Sequence, residues 1–140
     1  MDIEIILFTR KVSPEKLIKK YKLNSNIKII NWNMSNYELI EHNILDVDCI
    51  INLCGILYEN KHGDFFRVHS DLPALLGKLS IKNKINKLIH VSALGVSEFS
   101  DSIYSRSKAS GERKLLESFP KAKILRPSLL FGKGDNFFGQ

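Results

Sequence analysis

Long apolar runs are missing from this chain of 140 residues. The longest, such as Ile5–Phe8, are strand-sized, far short of the roughly 18 uninterrupted apolar residues of a membrane-spanning helix, so no transmembrane segment is expected. The first residues also lack a basic stretch leading into an apolar one, so no secretory leader is expected. Cysteine is scarce. Cys49 and Cys54 are the only two, too few for a disulfide framework or a zinc site, and the reading they support is a pair of buried free thiols in a reducing compartment. His42, His62, His69 and His90 show no ligand spacing, so no metal is expected. Glycine is thin where nucleotide-binding loops need it: none of the eight precedes Gly55, and the only G-x-G, Gly132-Lys-Gly134, has no third glycine opening a helix. Arginine is outnumbered, with 5 Arg against 16 Lys in a net charge of +6. Arginine is the usual reader of bases and phosphates, and the lysines are spread along the chain, so the charge reads as solvated surface and no nucleic-acid partner is expected.

What remains is an ordinary globular composition, 44% hydrophobic and 26% charged, long enough for one domain with a sizeable core. That excludes a disordered tail, a collagen-like fibre and a low-complexity linker. Strand and helix signals alternate. Ile3–Thr9 is a β-branched apolar run. Ser13-Pro14 opens a helix, with serine as cap, proline at the first helical position and Glu15 in the first turn. Ile27–Trp32 is a second strand. Ser35 with Glu38 predicts a capping box before a short helix. Asp48–Leu53 is a third strand, and Phe65–Ile81 is a long helix with Val68, Leu72, Leu75, Leu76 and Leu79 on one side. Lys87–Val91 is a fourth strand, Ile103–Phe119 a helix, and Lys123–Arg126 a fifth strand. This order predicts βαβ units: an α/β fold, a doubly wound parallel sheet of Rossmann type, with helices on both faces. Ligands of such sheets sit beyond the carboxyl ends of the strands, here at residues 9–11, 53–57, 92–95 and 127–132.

The sharpest chemical signal is Tyr104-Ser-Arg-Ser-Lys108. Four residues apart on a helix, a phenol and an amine share a face. An ammonium beside a phenol favours the phenolate, which suits the pair to exchange a proton with a carbonyl or alcohol oxygen. Ser92, at the end of the fourth strand, is the candidate to polarise the same oxygen. Its bland alternative is a loop hydroxyl bonded to its own backbone.

With these motifs in order, the chain resembles the short-chain dehydrogenase/reductase superfamily in its extended, atypical branch, over essentially its whole length. The segments Asn52–Glu59 (NLCGILYE), Ile89–Gly95 (IHVSALG), Tyr104–Glu112 (YSRSKASGE) and Ile124–Phe138 (ILRPSLLFGKGDNFF) are most similar to the NAD(P)H-binding accessory subunits of respiratory complex I and their bacterial relatives. The resemblance implies roles. Tyr104 would be the acid/base, Lys108 would activate it and hold the nicotinamide ribose, and Ser92 would polarise the substrate. Asn52, Gly55 and Pro127 would line the cofactor together with Tyr104 and Lys108. Arg10 and Lys11 would meet the adenosine ribose, where a cation suits a 2′-phosphate, so NADP(H) is favoured over NAD(H).

Two departures from that pattern stand out. His69 occupies a slot where many active relatives carry asparagine, which puts proton relay there in doubt. The glycine-rich fingerprint between the family's first strand and first helix is missing, so the resemblance implies a chain that starts at the family's second strand and stops before the substrate lobe. Residues 1–140 would then be an incomplete NAD(P)-binding Rossmann domain, N-terminally truncated, that binds dinucleotide weakly alone. Three functions stay open: a non-catalytic accessory or assembly part of the respiratory NADH dehydrogenase, cytoplasmic and peripheral to the inner membrane; an NADPH-dependent carbonyl oxidoreductase or nucleotide-sugar epimerase; or an inactive gene fragment.

Overall fold

The computed structural model describes residues 3–10, 13–22, 26–33 and 36–128. The chain divides into two compact units, Met1–Asp46 and Val47–Gln140.

The first unit holds β1 (Ile5–Thr9), α1 (Pro14–Tyr21), β2 (Ile27–Asn31) and α2 (Tyr37–Asn43). β1 and β2 pair in parallel, Ile5 opposite Ile27 and Thr9 opposite Asn31. α1 begins as its residues dictate. Pro14 sits in the first turn, and the Ser13 side chain accepts a hydrogen bond from the Lys16 amide. The cap of α2 differs from the expectation. Asn36, not Ser35, receives the Leu39 amide on its side chain, and Ser35 lies outside the described residues. Asparagine caps as well as serine, so two adjacent candidates were indistinguishable by type. Trp32 is buried, meets Phe8 edge-on and donates its indole N–H to the Asn36 carbonyl.

The second unit is larger. β3 (Cys49–Asn52), β4 (Lys87–Val91) and β5 (Lys123–Leu125) form a parallel sheet in the order β3-β4-β5. Parallel strands need crossovers. One is a helical run, α3 (Asp64–Phe66), a π-helical turn (Arg67–Asp71) and α4 (Leu72–Lys82); the other is α5 (Ile103–Ser118). The expected single helix over 65–81 is therefore interrupted. Pro73 explains the turn: it has no amide to give the His69 carbonyl four residues back, and the Leu72 amide instead reaches the Arg67 carbonyl, five back. α4, the π turn and α5 pack around Val68, Leu72, Leu76, Leu79 and Leu115, all buried. Two glycines permit the close approach. A Cβ on Gly111 would lie 1.7 Å from the His69 carbonyl oxygen, and one on Gly77 would lie 2.2 Å from Ser118 Oγ.

The sheet of this unit has unlike faces. Asn52, Leu88 and His90 are buried, whereas Ile51 and Leu125 are 60% and 54% exposed. The expectation of cover on both faces thus holds for one face among the described residues. The cysteines also differ from the buried pair expected, since Cys49 is exposed and Cys54 half-buried. The candidate residues, Arg10 and Lys11 excepted, all belong to this unit.

Candidate functional site

The site is built where β3 and β4 end and α5 begins. The buried Asn52 closes β3. Its side-chain oxygen accepts the Cys54 amide at 3.0 Å, turning the chain away, and its amide nitrogen donates to His90 Nδ1, also at 3.0 Å. That bond leaves the proton of a neutral imidazole on Nε2. His90 is neutral because burial, then the nearby Lys108 charge, lower its pKa to about 4 against the opposing pull of Glu112.

The next turn, 53–57, is fastened by His69. The Ile56 amide donates to His69 Nε2 at 3.1 Å, so Nδ1 carries the proton and gives it to Ser107 Oγ at 2.9 Å. Ser107 passes its own proton to the Tyr104 carbonyl at 2.8 Å. His69 thus buckles the turn after β3 to the first turns of α5. Its ring meets the Tyr104 ring edge-on, with centroids 5.2 Å apart, and Phe65 meets Tyr104 likewise at 5.9 Å. Gly55 lies over the same imidazole. Among the described residues, a Cβ there would find only His69 Nε2, at 3.9 Å, an ordinary contact, so these residues do not demand glycine.

Lys108 stands one turn beyond Tyr104. It is 4% exposed, with Nζ donating to the Val91 carbonyl at 2.9 Å. Burial pushes its pKa below the ordinary lysine value, while Glu112 and Cys54 push back. Glu112 is a further turn along, 6% exposed, and takes two hydrogen bonds of 3.0 Å from Arg126 Nε as one limb of a fork. Burial raises the Glu112 pKa. Hydrogen bonding from Arg126, the nearby Ser92 hydroxyl and the Arg126 charge overcome that and hold it below the usual carboxylate value. The Ser92 hydroxyl stands close enough to favour the carboxylate, but among the described residues no group meets it at hydrogen-bond geometry.

The sequence candidates are therefore distributed as follows. Lys108 meets the carboxyl end of β4, next to Ser92. Tyr104, one turn earlier on α5, packs on His69 and Phe65. Asn52 precedes the turn that His69 fastens, and Gly55 lies within it. Pro127 is tied in by its carbonyl, which accepts the Leu94 amide at 2.9 Å, beside the Ser92 amide bonded to the Leu125 carbonyl. Arg10 follows β1 in the other unit, and Lys11 lies outside the described residues. His90, Glu112 and Arg126 were not foreseen. The signal was present for two of them: Glu112 continues the Tyr104–Lys108 spacing by one more turn, and Arg126 directly precedes Pro127.

A nicotinamide dinucleotide is the group such a fold implies, and the residues fit one end of it. Among the described residues, an ammonium bonded only to the Val91 carbonyl, an uncrowded face at Gly55 and a buried Ser92 hydroxyl without a hydrogen-bond partner suit a polyol and an amide. Residues 10–13, between β1 and α1, contain no glycine.

No protein-family profile matches the chain. Its curated relatives include NADH dehydrogenase [ubiquinone] 1 alpha subcomplex subunit 9 of Mus musculus, 33% identical over 79% of this chain and 29% of the relative, and the same subunit of Dictyostelium discoideum, 35% identical over 79% and 31%. The NADH-ubiquinone oxidoreductase 40 kDa subunit of Neurospora crassa is 28% identical over 78% and 29%. The chain thus spans about three tenths of the length of these relatives. Solved structures of similar fold include a UDP-glucuronic acid 4-epimerase from Bacillus cereus in complex with NAD, with TM-score 0.72, 21% identity and coverage of 92% of this chain and 50% of that one. A dTDP-4-dehydrorhamnose reductase from Bacillus anthracis in complex with NADP gives TM-score 0.69 and 20% identity over 97% and 57%. The fold expected from the strand–helix alternation, α/β of Rossmann type, is the fold observed.

Proposed function

The chain is a homologue of those respiratory NADH dehydrogenase subunits, and on that premise we propose that it is a nucleotide-holding accessory or assembly part of such an enzyme, without turnover of its own. One observation carries the non-catalytic reading. Both nitrogens of His69 are engaged within the protein, by the Ile56 amide and by Ser107. The position from which a relay would deliver protons towards Tyr104 is instead a clamp. Lys108 and Tyr104 are then gripping residues. A bound nicotinamide would bring the capacity for hydride transfer; the chain brings a buried ammonium for ribose hydroxyls and an aromatic wall.

The reading of residues 1–140 as an incomplete dinucleotide-binding domain belongs to the same proposal. In the order 3-2-1-4-5-6 of the dinucleotide fold, β1 and β2 match strands 2 and 3, and β3, β4 and β5 match strands 4, 5 and 6. The central strand, with its glycine-rich turn, has no match among the described residues. The segment therefore holds the nicotinamide end and only weakly the pyrophosphate. Arg10, following β1, and Lys11 favour a 2′-phosphate, hence NADP(H) over NAD(H), since guanidinium forks onto phosphate oxygens. The same proposal includes a position peripheral to the inner membrane that carries the enzyme; no helix among the described residues is long and apolar enough to cross a membrane.

The test is recovery of the tagged chain from its native membranes. Co-purification of NADH dehydrogenase subunits supports the proposal, and recovery without them overturns it. Titration of the chain with NADPH and NADH addresses the rest: weak binding with NADPH ahead is expected, and tight binding would overturn the incomplete-domain reading. The geometry of Tyr104 and Lys108 favours one second reading, a carbonyl oxidoreductase or epimerase. It predicts turnover that Tyr104→Phe abolishes.

A further inference from the structure

Lysines that are spread along the sequence are gathered by the fold at one end of the second unit. Parallel strands force each crossover helix to return the chain to the start of the next strand, so α4 and α5 both finish at the end of the sheet opposite the turns that follow β3 and β4. Lys82 and Lys84 stand at the close of α4, Lys87 opens β4, Lys121 lies in the turn after α5 and Lys123 opens β5; all five are exposed. β4 and β5 are neighbours, and a hollow of about 230 Å3 is lined by both Lys84 and Lys121, with Ile81 and Pro120. Ile81 is 60% exposed. Two acids share this end: the exposed Asp48 before β3, and Glu117 in the last turn of α5, which Arg113 pairs at 2.7 Å. Among the described residues, no carboxylate pairs with Lys84, Lys87, Lys121 or Lys123.

We propose that this end of the unit is a docking surface for an anionic lipid membrane. The cation is lysine at all five positions. An ammonium is a strongly hydrated point charge that suits a layer of lipid phosphates, whereas readers of nucleic acid rely on the guanidinium fork and on exposed rings for bases to stack on. Phe119, the aromatic residue of the hollow, is 4% exposed. An exposed isoleucine among lysines suits the boundary beneath the headgroups, and lysine stems cover apolar surface while their charges stay in water. The helix dipole favours a cation in the last turn of α4, where Lys82 sits, but α5 has none in its last turn, and Lys87, Lys121 and Lys123 belong to strands and turns. Lys84 adds a backbone observation. It closes α4 in the left-handed conformation, φ 56°, where glycine is the usual residue, so a cation stands there against the local preference of the chain. The surface stands without the nucleotide reading; which membrane it meets rests on the accessory-part proposal above.

The experiment is sedimentation of the chain with extruded vesicles, one set of phosphatidylcholine alone and one of phosphatidylcholine and phosphatidylglycerol in equal parts. Binding to the second set and little to the first is expected, weakening as salt rises. Lys84→Gly relieves the left-handed backbone and so keeps the fold; it should weaken the partition about fivefold, and Lys84→Gly/Lys121→Gln about tenfold or more. Lys61→Gln, the same loss of charge in the exposed turn beyond the other end of β3, should change it less than about twofold. Equal binding to both vesicle sets, or equal effects of Lys61→Gln and Lys84→Gly, overturns the proposal. So does tighter binding to duplex DNA than to the vesicles, lost in the same variants, which makes the patch a nucleic-acid surface. So does displacement by inorganic phosphate beyond that by chloride at equal ionic strength, which makes it a phosphate site. Vesicle binding by a chain that recovers no NADH dehydrogenase subunits upholds the surface and overturns the accessory-part proposal instead.

Discussion

The two units share one local grammar, a strand, a helix and a parallel strand, yet they bury very different amounts. Among the described residues of the unit ending at Asp46, the buried apolar side chains are Trp32, Ile40 and Ile44, while Ile3, Ile5, Leu7 and Ile18 stand between 38% and 71% exposed. In the unit from Val47, Val68, Leu72, Leu76, Leu79, Ile85, Leu88, Leu115 and Phe119 are all buried, and so are Asn52, His69, His90, Lys108 and Glu112. Helix-forming residues and caps are present in both, so propensity does not separate them. The difference lies in packing: α4 and α5 face one another, which is where most helical stability arises. Buried polar groups cost free energy unless satisfied, and among the described residues they all lie in the unit with the larger core. Chemistry and core therefore coincide, and the two units should respond unequally to the same kind of perturbation. Trp32, the single tryptophan, reports on the first unit, and far-UV circular dichroism, dominated by α4 and α5, on the second.

The largest effect is expected from Gly111→Val. Its Cβ would fall within bonding distance of the His69 carbonyl, so α5 and the π turn must part. Overpacking of this kind against backbone costs about 3 kcal/mol or more. The urea midpoint by circular dichroism should drop steeply, while the Trp32 emission transition should move far less. Equal shifts of both signals would break the comparison, because the units would then unfold as one.

Acid gives the next effect. His90 is held neutral by burial and Lys108, with its pKa lowered to about 4. Below the ordinary histidine range the unfolded chain takes up a proton that the folded one refuses, so stability falls as pH drops from about 6.5 to about 4, by on the order of 3 kcal/mol. The expected observation is a decline in the circular-dichroism midpoint across that window that His90→Leu flattens, at a lower overall stability. A decline unchanged in His90→Leu would assign the acid sensitivity to other groups.

Much of this was legible in the residues, and the exceptions have physical causes. The strands announced themselves by β-branched runs, and α1 by Ser13-Pro14. Tyr104 and Lys108 could be found because a helix fixes what four residues apart means. The π turn was hidden because the spacing of Val68, Leu72, Leu76 and Leu79 fits an unbroken helix; Pro73 was the one contrary sign. The clamp role of His69 depends on Ile56 and Ser107, which only folding brings to it. Ser92 was correctly placed at the end of β4, but the direction of its hydroxyl, towards Glu112, is a matter of rotamer that no motif encodes.

The smallest effect sharpens the comparison from the other side. Ser13 caps α1 with a hydrogen bond of 3.4 Å from the Lys16 amide, longer than the best of its kind. Ser13→Ala should lower the stability seen by Trp32 by about 0.5–1 kcal/mol and leave the circular-dichroism midpoint of the larger unit in place. The same cap is visible from Glu15, whose carboxyl is held below its ordinary value by a hydrogen bond from its own backbone amide and then by the Ser13 side chain. Removing the serine should let the Glu15 titration move back upward, though not fully, since the backbone bond remains. A Glu15 midpoint that does not move while the Trp32 transition does would mean that Ser13 stabilises the unit other than by capping. A circular-dichroism midpoint that falls in step with Trp32 would mean that the smaller unit's helix supports the larger one, and the contrast between them would have to be redrawn.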